Sequence, residues 1–187
     1  MLNLKKSKKS PPAWSDYIKF LYEWRKEEKD QSKAAKLDEK IQETSRRALQ
    51  SVQPAEHKFF LMKRAAVEYR VGEIEKGRTT LEQLISKAPN KGDVWNVYLD
   101  MEVKYGTDIE ASRNLFRRAC SLGLKPKVMK GFFTKWMSFE TKQNNHKMIA
   151  EVKKQATAYI ANCEKKLLQG DETVDNELED DNGEVEV

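Results

Sequence analysis

Trp95, Tyr98 and Glu102 stand at positions i, i+3 and i+7, and Phe133, Trp136 and Glu140 repeat the series. That spacing returns to one face of a helix over two turns and would scatter across both faces of a strand. A weaker copy, Leu61, Arg64 and Glu68, begins 34 residues before Trp95. Near the start, Trp14 and Tyr17 repeat the first two positions, with Leu21 at the third. A period of about 34 residues is that of stacked helical hairpins. The expected fold is therefore all-α, an α-solenoid of about four antiparallel helix pairs. With only eight Gly and five Pro in 187 residues, little in the chain opposes helix.

A second helical series follows each first one. It is carried by "RRALQ", "LEQLI", "FRRAC" and "VKKQA", with Arg113, Phe116 and Ala119 as its clearest members. Hairpins are expected over 13–51, 54–88, 91–122 and 125–168. Pro54 and Pro126 suit first helical turns, while Gly72 and Gly123 suit helix ends. Gly106 is expected as a left-handed helix end, followed by a Thr107 to Glu110 capping box. Gly77, Ala111 and Ala150 mark places for close helix packing. The charged run "RKEEKDQSKAAK" either lengthens the first hairpin or forms a long loop. Trp14, Tyr17, Trp95, Tyr98, Phe116, Ala119, Phe133 and Trp136 read as repeat packing rather than as a base-stacking platform. A carboxylate on such a face needs a partner, and Arg113 is the expected partner of Glu102.

Charge is distributed unevenly. Residues 171–187 hold nine acidic residues and no Lys or Arg; the rest of the chain has 35 basic residues against 21 acidic ones, a net charge of +14 over residues 1–170. A surplus of that sign attracts phosphate or acidic protein. Its expected focus is Arg117, Arg118, Lys125, Lys127, Lys130 and Lys135, with Lys5, Lys6, Lys8 and Lys9 as a second basic arm. Residues 1–12 read as a basic flexible leader, 13–168 as the repeat domain and 169–187 as an acidic disordered tail. "KKSKK" also fits a nuclear import signal. Cys120 and Cys163 lack metal-ligand or redox-motif spacing, and both are expected to be buried thiols in a reducing compartment. Neither histidine has a neighbour suited to sharing a metal. With no phosphate-cradling Gly loop and no nucleophile elbow, no enzyme activity, cofactor, metal or small-molecule substrate is expected. No run approaches the ~20 apolar residues that cross a bilayer, so no membrane association is expected.

The aromatic-x2-aromatic-x3-Glu series, followed by Arg, an apolar residue and Ala, resembles the half-a-TPR (HAT) repeat of RNA-processing proteins. The segment "DVWNVYLDMEVKYG", with "LFRRA" and "LKPKVMKGFF" after it, is similar to the carboxy-terminal repeat region of the ribosomal RNA processing protein five family. The likeness extends over roughly residues 13–163. It implies a TPR-like scaffold in the nucleolus that serves pre-rRNA maturation in early small-subunit assembly particles. The implied partners are pre-ribosomal assembly proteins, with pre-rRNA contacted through the basic surface. Members of that family also carry RNA-binding β-barrels of the S1 type, for which these residues show no pattern. Two other readings stay open: a direct RNA-binding module, or a HAT scaffold of splicing or 3′-end processing.

Overall fold

A computed structural model describes residues 11–168, and all regular elements in that range are helices. In chain order they are α1 (Pro11–Glu27), α2 (Gln31–Ser51), α3 (His57–Val71), α4 (Ile74–Lys87), α5 (Gly92–Tyr105), α6 (Ile109–Ser121), α7 (Pro126–Lys142) and α8 (His146–Leu168), with α1 and α2, α3 and α4, and α7 and α8 packed as hairpins. The chain is thus an all-α helical repeat of the solenoid class. It divides into two compact units, one ending at Leu115 and the other beginning at Phe116. The expected leader and acidic tail lie largely outside the described residues. Pro11 and Pro12, expected in the leader, instead open α1, where a missing amide hydrogen costs nothing.

In the first unit, α1 packs against α2 and α3, and α5 against both α3 and α4. First helices thus stack on first helices, so each hairpin buries a face that its own partner leaves bare. Ile18, Leu21 and Tyr22 of α1 meet Leu37, Ile41 and Ala48 of α2 and Phe60 and Val67 of α3 in one cluster. The charged run resolves as longer helices, not a long loop. Its Asp30 accepts hydrogen bonds from the Ser32 and Lys33 amides and caps α2, satisfying two of the donors a helix start leaves open.

In the second unit, the Phe116 ring lies 5.8 Å from that of Trp136, with planes 5° apart, and 5.6 Å from that of Phe139. Phe133 meets Tyr159 at 6.1 Å, and the Tyr159 hydroxyl donates to the Leu124 carbonyl at 2.5 Å. Aromatic contacts therefore join the end of α6 to α7, and α7 to α8.

Turn chemistry departs from expectation at two adjoining points. Gly106 is extended rather than left-handed, with φ −63° and ψ 136°. What requires glycine is room: a Cβ there would stand 2.6 Å from Glu102 Oε2 and 2.5 Å from the Glu102 carbonyl oxygen. The cap of α6 is Asp108 rather than Thr107, since its carboxylate accepts from the Glu110 and Ala111 amides at 2.9 and 3.1 Å. Asp competes for this role at least as well as Thr, and the capping-box pattern placed the start one residue early. Gly72 is left-handed at φ 93° and accepts the end of α3 as expected.

Close packing is real at Gly77 and absent at Ala150, which is exposed. A Cβ on Gly77 would lie 2.5 Å from the Tyr69 ring. Gly77→Ala is therefore expected to destabilise by about 1–3 kcal/mol despite its better helix propensity. Gly131, inside α7 with nothing within 4 Å of its added carbon, behaves oppositely. Gly131→Ala should stabilise by up to about 1 kcal/mol. Urea denaturation of the two variants checks both signs, and equal behaviour would refute the packing account.

Candidate partner-binding surfaces

The repeat glutamates are interior groups. Glu68 and Glu140 are fully buried and Glu102 is 3% exposed, so each needs compensation within the fold. Glu102 receives a forked contact from Arg78, Nε to Oε1 at 2.6 Å and the terminal nitrogen to Oε2 at 2.8 Å. Tyr69 adds its hydroxyl at 2.5 Å. The expected partner, Arg113, instead reaches Glu110 at 2.6 Å. The physical reason is the order of stacking. Arg78 lies on α4, which packs against α5 from the preceding hairpin, whereas Arg113 lies on α6, the helix that follows α5.

Glu68 is satisfied in a related way. Arg64 donates to it at 2.8 Å, Tyr22 at 3.2 Å and Thr80 at 3.3 Å. Tyr22 and Tyr69 each directly follow the third position of their own series. Each sends its phenol to the glutamate of the next hairpin. Burial raises the pKa of Tyr22, Tyr69 and Tyr98, with the neighbouring carboxylates adding to it. Arg78 is held charged mainly by its hydrogen bond to Glu102. Glu140 accepts from its own helix, through Trp136 Nε1 at 3.2 Å. These carboxylates are occupied in holding helices together and offer no acid or base to a substrate.

Most other members of the repeat series are also interior. Trp95, Tyr98, Phe116, Ala119, Phe133 and Trp136 are buried. The Trp95 indole donates to the Pro89 carbonyl at 2.7 Å, and Tyr98 to Glu82 at 3.1 Å. Trp14 packs partly buried against the first cluster. Tyr17 departs from expectation: it is 41% exposed because Ile18, Leu21 and Tyr22 form the face that α1 turns inward.

That departure reveals a surface with no counterpart in the repeat pattern. Tyr17, Phe20 and Trp24 stand at i, i+3 and i+7 on the outward face of α1, at 41, 53 and 45% exposure. Tyr17 and Phe20 stack at 6.4 Å, Phe20 and Trp24 meet at 6.1 Å, and Lys40 from α2 sits 5.9 Å above the Trp24 ring. Three large rings left together in water are unusual outside an interaction site. The periodicity was readable in the sequence. Which of two aromatic faces turned inward was decided only by packing.

The basic residues form a second surface. Of the expected set, Arg117, Arg118, Lys125, Lys127 and Lys130 are exposed and Lys135 is half-buried. The charge extends well beyond them, along α8. Residues 116–168 contain twelve Lys or Arg and three acidic residues, Glu140, Glu151 and Glu164, of which Glu140 is buried. Residues 11–115, by contrast, carry 19 basic and 18 acidic residues. Among the described residues the surplus therefore lies from the end of α6 onward.

Among the described residues, no group of three or more His, Cys, Asp or Glu could hold a metal ion, and no helix is long and apolar enough to cross a membrane. Cys120 and Cys163 are half-buried rather than fully buried. Burial nevertheless pushes the Cys120 thiol up to about 12, which suits an inert side chain better than a nucleophile. Helices built on buried, mutually satisfied motif residues define a helical-repeat domain of the solenoid class.

Comparison with known proteins adds a family to that class. The chain is 34% identical over 160 residues to the rRNA biogenesis protein rrp5 of Schizosaccharomyces pombe, covering 86% of this chain and 9% of that protein. It is 31% identical over 157 residues to the Homo sapiens RRP5 homolog, covering 84% and 8% respectively. With the Mus musculus homolog it shares 35% identity over 114 residues, 61% of this chain and 6% of that one. The chain is thus a relative of the carboxy-terminal region of RRP5 proteins and spans less than a tenth of the length of these three. No protein-family model matches it.

Proposed function

We propose that this chain is a non-catalytic scaffold in ribosome biogenesis, holding partner proteins together during pre-rRNA processing in the nucleolus. The similarity to RRP5 proteins over most of the chain supports the process. The single structural observation that carries the scaffold role is the exposed Tyr17, Phe20 and Trp24 face. Aromatic anchors of this kind dominate binding energy when a partner excludes water from them. HAT-like or TPR-like hairpins present such anchors, and the groove that stacked hairpins form is the second place for a partner segment. Early small-subunit particles are the assembly this reading points to.

The test is affinity capture of the tagged chain from cell extract, with and without RNase. Pre-ribosomal proteins retained after RNase, and lost in a Phe20→Ser/Trp24→Ser variant that melts normally, are the expected result. Recovery of splicing or 3′-end factors instead would move the scaffold to another process.

A second reading, direct RNA contact, is favoured by the charge of residues 116–168. Phosphate contacts weaken linearly in the logarithm of salt concentration, whereas an aromatic dock is far less sensitive. Loss of every captured protein on RNase treatment would place this reading first.

A further inference from the structure

The face that Tyr17, Phe20 and Trp24 leave open on α1 is a covered face on the later first helices. Aligned on the repeat series, Phe20 falls at the position of Val67, Met101 and Phe139, all three buried. Val67 lies in one cluster with Ile18, Leu21 and Tyr22 of the hairpin before it, and Phe139 meets Phe116 at the end of the preceding α6. Tyr17 falls at the position of Tyr98 and Trp136, which reach back to Glu82 of α4 and Phe116 of α6. The third match, Arg64, turns to Glu68 on its own helix. At the position of Trp24, Val71 and Tyr105 are half-buried and Gln143 is exposed. The α1 face is thus the stacking interface of the repeats, continued to a first helix that has no helix laid on it among the described residues.

The two edges of the aromatic stripe carry opposite charge. On α1, Asp16, Glu23 and Glu27 stand at i, i+7 and i+11, one exposed row beside the rings. On α2, Lys36, Lys40 and Arg47 stand at i, i+4 and i+11, again one exposed row. The contact of Lys40 with Trp24 and the ion pair of Asp38 with Arg25 fix the register of the hairpin. Tyr17 is as far from Trp24 along α1 as Arg47 is from Lys40 along the antiparallel α2, so Arg47 is level with Tyr17. Lys19 lies 3.7 Å from Glu23, an exposed pair that a partner's cation readily exchanges.

We propose, building on the scaffold reading, that this face seats an amphipathic α-helix of a partner protein, apolar toward the three rings, acidic along the α2 row and basic along the α1 row. It extends the stack by one layer, lying on α1 at the interface that α3 and α5 already use. The 17 residues of α1 span about 25 Å, room for anchors at i, i+3 and i+7 of the incoming helix. Leu21 stands where Glu68 and Glu102 receive a phenol from the helix before, so the incoming helix needs no tyrosine in that role. Apolar anchors supply the affinity, and the charged edges set the direction in which the helix lies.

The test uses the full chain and synthetic helical peptides of about 18 residues, each with a Leu stripe flanked by Glu on one side and Lys on the other. In the first peptide the Glu flank meets α2 when the peptide runs parallel to α1. In the second the flanks are exchanged. A nitroxide on the amino terminus of the first should broaden the amide signals of Ala13 to Asp16, and on the second those of Glu23 to Glu27. Phe20→Ser/Trp24→Ser should weaken both peptides at least about tenfold, with thermal melting nearly unchanged. Reversing the charges of both edge rows should exchange the two directions.

Broadening at both ends alike, or an affinity untouched by Phe20→Ser/Trp24→Ser, would overturn the proposal. So would a dimer of the chain alone that the double variant dissolves, since the face would then serve a second copy. An oligouridylate affinity lowered about tenfold by the same variant would assign the rings to stacked bases instead. If capture of pre-ribosomal proteins depends on Phe20 and Trp24 while the peptides fail, the scaffold reading stands and only the helical occupant is lost.

Discussion

Trp136→Ala is expected to lower stability by about 3–5 kcal/mol, the largest loss for a single truncation in the second unit. The indole is fully buried, stacks on Phe116 and donates its Nε1 hydrogen to Glu140. Truncation removes apolar area, opens a cavity between rings that cannot fully collapse, and takes a donor from a buried carboxylate. Trp24→Ala makes the comparison sharp. That ring is of equal size but 45% exposed, and its loss should cost under about 1 kcal/mol. Guanidinium denaturation of both variants measures the difference. A Trp136→Ala midpoint matching that of Trp24→Ala would show that the aromatic core does not hold α7 in place.

The second large effect is expected at Arg78. Arg78→Met leaves Glu102 buried with a phenol as its remaining partner, and such a broken pair costs about 3–5 kcal/mol. The remedy follows from the first hairpin. Leu21 occupies the register position of Glu102 and is fully buried without any ionic partner. Combining Arg78→Met with Glu102→Leu and Tyr69→Phe should therefore recover at least about 2 kcal/mol of the loss, since an apolar replacement avoids stranding a polar group. A loss below about 1 kcal/mol for Arg78→Met alone, or a triple variant no more stable than the single, would mean that solvent already screens the pair.

Helix positions were legible because two signals agreed along most of the chain. The i, i+3, i+7 series fixed the buried faces of α5 and α7, and Gly72, Pro126 and Gly123 marked real boundaries. What escaped was information that resides between helices. Nothing local told that Glu102 would meet Arg78 rather than Arg113, because the choice depends on which hairpin stacks on which. Tyr17 was misplaced for a similar reason. The α1 helix has aromatics on two faces, and Ile18, Leu21 and Tyr22 together outcompete Tyr17, Phe20 and Trp24 for the interior. The Gly106 requirement was invisible in another way, since an extended backbone permits any residue and only the closeness of the Glu102 carbonyl oxygen and carboxylate forbids one. The lysine surface was only half legible. Its centre was found around Lys127, but its continuation along α8 required knowing that those lysines share a hairpin with it.

The phenol of each early hairpin reaches forward to the carboxylate of the next, Tyr22 to Glu68 and Tyr69 to Glu102. Hairpins wired in this way cannot be freely exchanged. Excising residues 57–91 would bring Tyr22 to face Glu102 while removing Arg78 and Tyr69, leaving an anionic group in the interior with one neutral donor. Loss of units, one of the usual freedoms of repeat arrays, is thus restricted here, and change is channelled toward the outward faces.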